Sequence, residues 1–271
     1  MSQAPAGRLT ALVLAGERSG GDPLARGAGV AHKALIEVGG VPMLVRVVGC
    51  LAATARVERV VVSSASPGLL DAHVDLRRLR DAGVLAHWRS GASPAASVAE
   101  ALAGLAPAGP LLVTTADHPL LVPAMVEHFC AEAERSGAEV VAAVVSASVV
   151  RERFPDARRT FIPLRGEAVT GANLFWFRGP AGAGAAAFWR RTEAVRKRPW
   201  RLAGLFGWRA LGLFALRRLD LHAAVRLVST RLGVRAAVVR MPFAECGIDV
   251  DRPEDLALVE RLLRDPARGP R

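Results

Sequence analysis

The chain is predicted to adopt an α/β fold: a Rossmann-like, mixed but mainly parallel sheet with helices on both faces. Three observations predict it. Short β-branched apolar runs alternate with amphipathic stretches of helical length from Leu9 to Val145. The first run, Leu9 to Leu14, breaks directly into a long loop carrying Gly16, Gly20, Gly21, Gly27 and Gly29. A later run, Leu111 to Thr115, leads straight into Ala116-Asp117-His118-Pro119. Ligands of such sheets gather at the carboxyl ends of the strands, where both the loop and Asp117 fall.

Taken in order, Leu9–Leu14 is a buried strand. Val41 to Leu51 has helical length, with Pro42 suited to a first turn. Val57 to Ser63 is a second strand, Leu69 to Asp81 a charged amphipathic helix ending near Gly83, and Val84 to His87 a short strand. SGASPAASVAEALAGL is a loop that becomes helical at about Pro94. Leu111–Thr115 is a strand, Val122 to Ser136 a helix and Glu139 to Val145 a strand. From Ser148 the pattern changes. Thr160 to Leu164 and Ala168 to Arg178 read as an antiparallel addition, and Ala181 to Lys197 and Arg201 to Gly233 as helical, arginine-studded stretches. Val234 to Met241 is a strand. Glu245 to Pro253 is an acidic turn, and Glu254 to Arg264 a closing helix with acids in its first turn. The expected organisation is one domain over residues 1–271 with a helical, arginine-rich insertion at about 181–233.

Apolar residues make up 51% of 271, enough for a sizeable core. The opening MSQAPAG has neither a charged nor an apolar signal region, and no apolar run is long enough to cross a bilayer. A cytoplasmic protein is expected, with contact at the inner face of the membrane open. Cys50, Cys130 and Cys246 are odd in number and far apart, which argues for buried thiols over a disulfide framework or zinc site. The net charge of +11 is carried almost wholly by arginine; Lys33 and Lys197 are the sole lysines. Charge alone, without stacking aromatics in a recognisable module, does not make a nucleic-acid binder.

Several residues are candidates for chemistry. The glycine-rich loop can bring backbone N–H groups close to a polyphosphate. Lys33 can neutralise phosphate charge or be a solvated loop lysine. Asp117, at a strand end, can hold a divalent cation or simply initiate a turn before Pro119. Alternation places Asp249 and Asp251 on one face of an extended segment, able to share a cation, although acids are also favoured before a helix. Ser90, Gly91, Ser93 and Ser97 can offer donors to a base or ribose, or act as caps. His118 can support Asp117 or be a packed core residue. No Ser-His-Asp pattern and no GK[ST] phosphate loop is present.

LVLAG with its glycine-rich loop, HKALIEVGGVPML, LLVTTADHPLL, GANLFWF and IDVDRPEDL occur in this order. Together they resemble the nucleotidyltransferases of GT-A type. These include molybdenum-cofactor guanylyl- and cytidylyltransferases, cobinamide-phosphate guanylyltransferases and sugar-phosphate nucleotidylyltransferases. The resemblance covers about residues 8–178 and 234–264. It implies that Leu14, Ala15 and Gly16 contact the nucleotide, with Ser90, Gly91 and Ser97 beside it, and that Lys33 binds phosphate. It implies that Asp117 and Asp251, with Asp249 assisting, hold Mg²⁺ or Mn²⁺, and that Gly171 and Asn173 line the acceptor pocket. Two departures stand out: the loop reads Gly16-Glu17-Arg18 where a second glycine is usual, and His32 replaces the proline before the lysine.

The implied activity is Mg²⁺-dependent transfer of a nucleotide from an NTP, GTP or CTP foremost, to a phosphorylated small molecule, with pyrophosphate released. Catalysis would rest on Lys33 and Asp117. The alternatives are a GT-A glycosyltransferase using a nucleotide-sugar and a non-catalytic nucleotide-binding regulator. Arg196 to Arg218, RKRPWRLAGLFGWRALGLFALRR, fits none of these motifs. Its aromatic and basic residues suit contact with an anionic membrane, a dimer interface, internal packing or a lid.

Overall fold

A computed structural model describes residues 8–17, 21–179, 184–186, 189 and 207–264. Its strands are β1 (Leu9–Leu14), β2 (Glu37–Val38), β3 (Val41–Pro42), β4 (Val57–Ser64), β5 (Leu85–Arg89), β6 (Leu111–Thr115), β7 (Val140–Ser146), β8 (Ile162–Leu164), β9 (Glu167–Phe177) and β10 (Ala236–Arg240). Its helices are α1 (Pro23–Gly27), α2 (Met43–Ala52), α3 (Val74–Asp81), α4 (Pro94–Gly104), α5 (Pro123–Ser136), α6 (Ala147–Arg153), α7 (Trp208–Ala215), α8 (Leu221–Leu232) and α9 (Pro253–Arg264).

The main sheet runs β10-β7-β9-β6-β1-β4-β5, with β8 on the side of β9. β6, β1, β4 and β5 are mutually parallel, as are β7 and β10. β9 lies antiparallel between β6 and β7. This is the mixed, mainly parallel sheet that the alternation of apolar runs predicts. One core layer packs Leu44, Val48, Met125 and Phe129 from α2 and α5 against one face. The other face carries Leu12, Val61 and Val113 under Val98, Ala101 and Leu102 of α4. Burial of both faces explains why these strands read as continuous apolar runs rather than alternating ones.

Register brings the strand ends level. Leu14 stands opposite Ser63 on one side and Thr115 on the other, so the chain leaves β1 and β6 side by side. In β9 the pairing with β7 slips between Ala142 and Val144, and Asn173 takes a left-handed φ of 50° there. A bulge of this kind bends a strand and re-aims its side chains.

Local chemistry moves several expected boundaries. Val41-Pro42 is not helical: it pairs with Glu37-Val38 across Gly39 and Gly40, whose φ values of 56° and 71° make the tight hairpin turn that side chains disfavour. Pro42 then precedes α2 as its cap residue. The helix expected over Leu69–Asp81 splits into a 3₁₀ turn, Pro67–Asp71, and α3, because His73 accepts the Asp75 N–H and starts a new helix. α1 forms inside the glycine-rich loop, capped by Asp22 with Pro23 behind it, and α6 forms under the Ser146 cap. Neither shows as a periodic apolar stretch.

Of the helical stretches expected over 181–233, residues 181–183, 187–188 and 190–206 lie outside the described residues; α7 and α8 fall within them. Asp220 caps α8, and Gly233 ends it at a φ of 68°. Trp208 and Leu216 at the ends of α7 are 71% and 67% exposed. Among the described residues no helix is long and apolar enough to cross a membrane. All three cysteines are free and buried, as expected; burial pushes the Cys50 and Cys130 thiols up to about 12, which leaves them unreactive.

Leu12 in β1 is fully buried and Val74 is 42% exposed. Leu12→Ala should cost about 2–5 kcal/mol of stability in urea denaturation, while Val74→Ala should stay within about 0.5 kcal/mol.

Candidate active site

Asp117 and Asp251 reach the same place by backbone ties. Ala116 N–H donates to the Leu14 carbonyl at 3.0 Å, which fixes the exit of β6 against β1. Val250 N–H donates to the Asp117 carbonyl at 2.9 Å, which lays the distant acidic loop across the same strand end. Lys33 arrives on a short 3₁₀ turn, Lys33–Leu35, whose cap is His32. His32 Nδ1 accepts the Ala34 N–H at 3.0 Å. That assigns the proton to Nε2, which donates to the Ala15 carbonyl at 3.1 Å. His32 therefore pins the lysine turn to the start of the glycine-rich loop. No proline could make either bond.

The Lys33 ammonium donates to Asp117 Oδ2 and to Asp251 Oδ1, each at 2.7 Å. Burial of Lys33 works against its charge, but the fields and hydrogen bonds of Asp117 first and Asp251 second outweigh it, and its pKa is raised above the ordinary lysine value. Two of the three ammonium protons are committed to carboxylates. Asp117 Oδ1 is buried and makes no hydrogen bond.

Asp249, expected to share a cation with Asp251, is held by other partners. One carboxylate oxygen pairs with Arg159 and the other accepts from Asn173 Nδ2 at 3.0 Å. Among the described residues no group of three or more acidic, histidine or cysteine side chains is disposed around one metal position. Ile248 and Val250 are buried while Asp249 and Asp251 are more exposed, so the alternation is present and it is the partners of the two acids that differ. The chain turns into α9 after Asp251, with the Arg252 carbonyl accepting the first helical bonds. Asp255 Oδ2 accepts the N–H groups of Asp251 at 3.2 Å and Arg252 at 3.0 Å, closing this turn. Burial raises the Asp255 pKa against the pull of those bonds and of Arg159.

The other expected site residues divide. Ala15 is buried and its N–H donates to Ser63 at 2.8 Å, while nothing stands within 4 Å of where a Gly16 Cβ would be. Leu14 closes the strand beside them, and Arg18 lies outside the described residues. Ser97 is buried and its Oγ accepts the Gly91 N–H at 3.0 Å; Ser93 caps α4; Ser90 N–H donates to Ser64. A Cβ on Gly91 would stand 2.8 Å from Glu100 Oε1, so glycine is required there unless Glu100 moves. Trp88, Arg89, Ser90, Gly91 and Glu100 line a groove of about 420 Å³ at the end of β5. Gly171 is exposed in β9, two residues from Asn173. His118 is a core residue: it is fully buried, its Nε2 stands 3.4 Å from the Glu245 carbonyl, and burial lowers its pKa. Arg159 and Asp255, which hold the acidic loop, carry no sequence signal of that role. Arg159 sits in an aperiodic stretch, and Asp255 reads as an ordinary first-turn acid.

A turn lysine between an acid at a strand end and an acid of the C-terminal loop thus stands at the carboxyl ends of the parallel strands. The chain belongs to the MobA-like NTP transferase family, whose domain it matches over residues 11–224. That match runs through the span of the Arg196–Arg218 stretch and ends before Asp249 and Asp251. A solved structure described as a hypothetical transferase from Thermus thermophilus is 33% identical, with a TM-score of 0.76, and the match covers 92% of this chain and 99% of that one. CMP:2-keto-3-deoxy-manno-octonic acid synthetase complexed with CTP is 16% identical, with a TM-score of 0.55 over 95% of this chain and 99% of that one. The 2-C-methyl-D-erythritol 4-phosphate cytidylyltransferase from Thermus thermophilus is 19% identical, with a TM-score of 0.52 over 95% of this chain and 100% of that one. These last two share the fold. No curated protein matches the chain.

His118 gives a pH signature. Its folded pKa lies below the ordinary 6.5, so below that pH the unfolded chain binds a proton the folded chain refuses. Its contribution to stability is complete above 6.5 and is lost as the pH falls through the folded value. The melting temperature should drop from about pH 7 to about pH 5 more steeply in the wild type than in His118→Gln; equal slopes would contradict the assignment.

Proposed function

We propose that this nucleotidyltransferase moves an NMP from an NTP, GTP or CTP, to a phosphorylated small-molecule acceptor and releases pyrophosphate, with Mg²⁺ or Mn²⁺ as its metal. The observation that carries the reading is the Lys33 ammonium held between Asp117 and Asp251 at the mouth of the glycine-rich loop. The donor set fits a hard divalent cation that keeps water and phosphate ligands: two carboxylates, one with a buried oxygen lacking any partner. Asp117 and Asp251 would hold the ion, which when bound would neutralise phosphate charge on the nucleotide and the departing pyrophosphate.

The chain's own groups have these roles. Backbone N–H groups of the glycine-rich loop beyond Ala15, whose own N–H is bonded to Ser63, cradle the triphosphate, and the groove at the end of β5 takes the nucleoside. Lys33 has one uncommitted proton for a phosphate oxygen and opposes the charge that builds as the bond breaks. An oxygen of the acceptor's phosphate attacks the α-phosphorus in line. A phosphorus–oxygen bond forms there as the bond to the β-phosphate oxygen breaks, and the electron pair leaves with pyrophosphate. Asn173 and Gly171, on the bulged strand, wall the acceptor side.

A glycosyltransferase would release a nucleoside diphosphate from a nucleotide-sugar, and a regulator would bind NTP without turnover. A pyrophosphate-release screen of the four NTPs with Mg²⁺ and a panel of phosphorylated acceptors separates the three. Asp117→Asn should lower the rate by at least about 100-fold with an unchanged circular dichroism spectrum; unaltered turnover would remove Asp117 from the mechanism.

A further inference from the structure

We infer that Arg159 is a positioning residue for nucleotidyl transfer, which keeps Asp249 away from the metal position and so presents Asp251 alone to Lys33 and Asp117. The inference rests on the function proposed above. Arg159 lies between α6 and β8, and its side chain is only 12% exposed. Its guanidinium pairs with the Asp249 carboxylate, donates to the Asp249 carbonyl at 3.3 Å and stands 3.6 Å from Asp255 Oδ1. It thus grips one acid on either side of Asp251 in the sequence. A planar fork can do this with its separate nitrogens.

The grip has consequences on either side. Asp249 also accepts from Asn173, whose left-handed backbone and bulge turn its amide toward the acidic loop. The acceptor wall and the metal wall are therefore joined through one carboxylate. Asp255, held by Arg159 on one oxygen, uses the other to accept the Asp251 N–H. With Val250 bonded to Asp117, the backbone is fixed on both sides of Asp251, and its carboxylate projects to Lys33. Without the guanidinium, the side chains of Asp249 and Asp255, 19% and 9% exposed, would face each other as uncompensated like charges. The loop would relieve this by moving, and Asp251 would lose its contact with Lys33.

The test uses Arg159→Met, Arg159→Lys and Asp249→Asn in the full chain. Mn²⁺ binding is read by electron paramagnetic resonance, and kcat, the KM for NTP and the half-saturating Mg²⁺ concentration by pyrophosphate release. Arg159→Met should weaken Mn²⁺ binding and raise the Mg²⁺ requirement by about 10–100-fold, with the KM for NTP nearly unchanged at saturating metal. Arg159→Lys, which brings one point charge to two carboxylates, should fall between. The double variant Arg159→Met with Asp249→Asn should be no worse than Arg159→Met alone, because both act through one contact. Unchanged Mn²⁺ affinity in either Arg159 variant, with only a lower melting temperature, would overturn the inference; so would a loss of Mn²⁺ binding in Asp249→Asn far beyond that of Arg159→Met, which would make Asp249 a ligand. If Arg159→Met does not fold, the Lys variant decides on the same readings. A wild type that binds Mn²⁺ but releases no pyrophosphate with any acceptor counts against the transferase reading, and the Mn²⁺ titrations still decide the role of Arg159.

Discussion

One ammonium group between two carboxylates organises this molecule's functional end. Lys33 lies 84 residues from Asp117 and 218 from Asp251 in sequence, yet meets each at 2.7 Å. Two acids drawn to one point would repel; the lysine turns that repulsion into a three-body arrangement. A site that holds a positive charge before any ligand arrives is already shaped for phosphate. The same interaction makes demands on the rest of the fold, since three segments must converge within hydrogen-bond distance.

Each demand is met by a different device. The parallel register of β1 and β6 places the glycine-rich loop beside Asp117. His32 fastens the lysine turn to the Ala15 carbonyl, and here its replacement of proline has a physical role. The last segment needs more support because it belongs to no strand. Val250 bonds to the Asp117 carbonyl, Asp255 closes the turn into α9, and Arg159 neutralises the acids on either side. Rigid strands therefore set the position of Asp117, whereas a network of polar contacts sets that of Asp251.

That contrast also explains what could be read from the sequence. β1, β4 and β6 are legible because burial on both faces demands apolar runs, and Asp117 is legible because it follows one of them. Lys33 stands out as one of two lysines in an arginine-rich chain. The alternation that sets Asp249 and Asp251 apart from buried Ile248 and Val250 is legible, but it does not tell that Arg159 and Asn173 engage Asp249. Arg159 is invisible for a related reason: its partners, Asp249 and Asp255, are far away in the chain, and no local pattern records a tertiary ion pair. The hairpin at Gly39-Gly40 and the break before α3 depend on cap and turn chemistry that a hydrophobic pattern does not express.

The central claim is that the Lys33, Asp117 and Asp251 centre breaks the bond between the α- and β-phosphates of an NTP. Following separately labelled α- and γ-phosphates during turnover with a phosphorylated acceptor tests it most directly. The account predicts α-label in the acceptor product and γ-label in released pyrophosphate, with both transfers lost in Asp117→Asn. Transfer of the γ-label to the acceptor would contradict it.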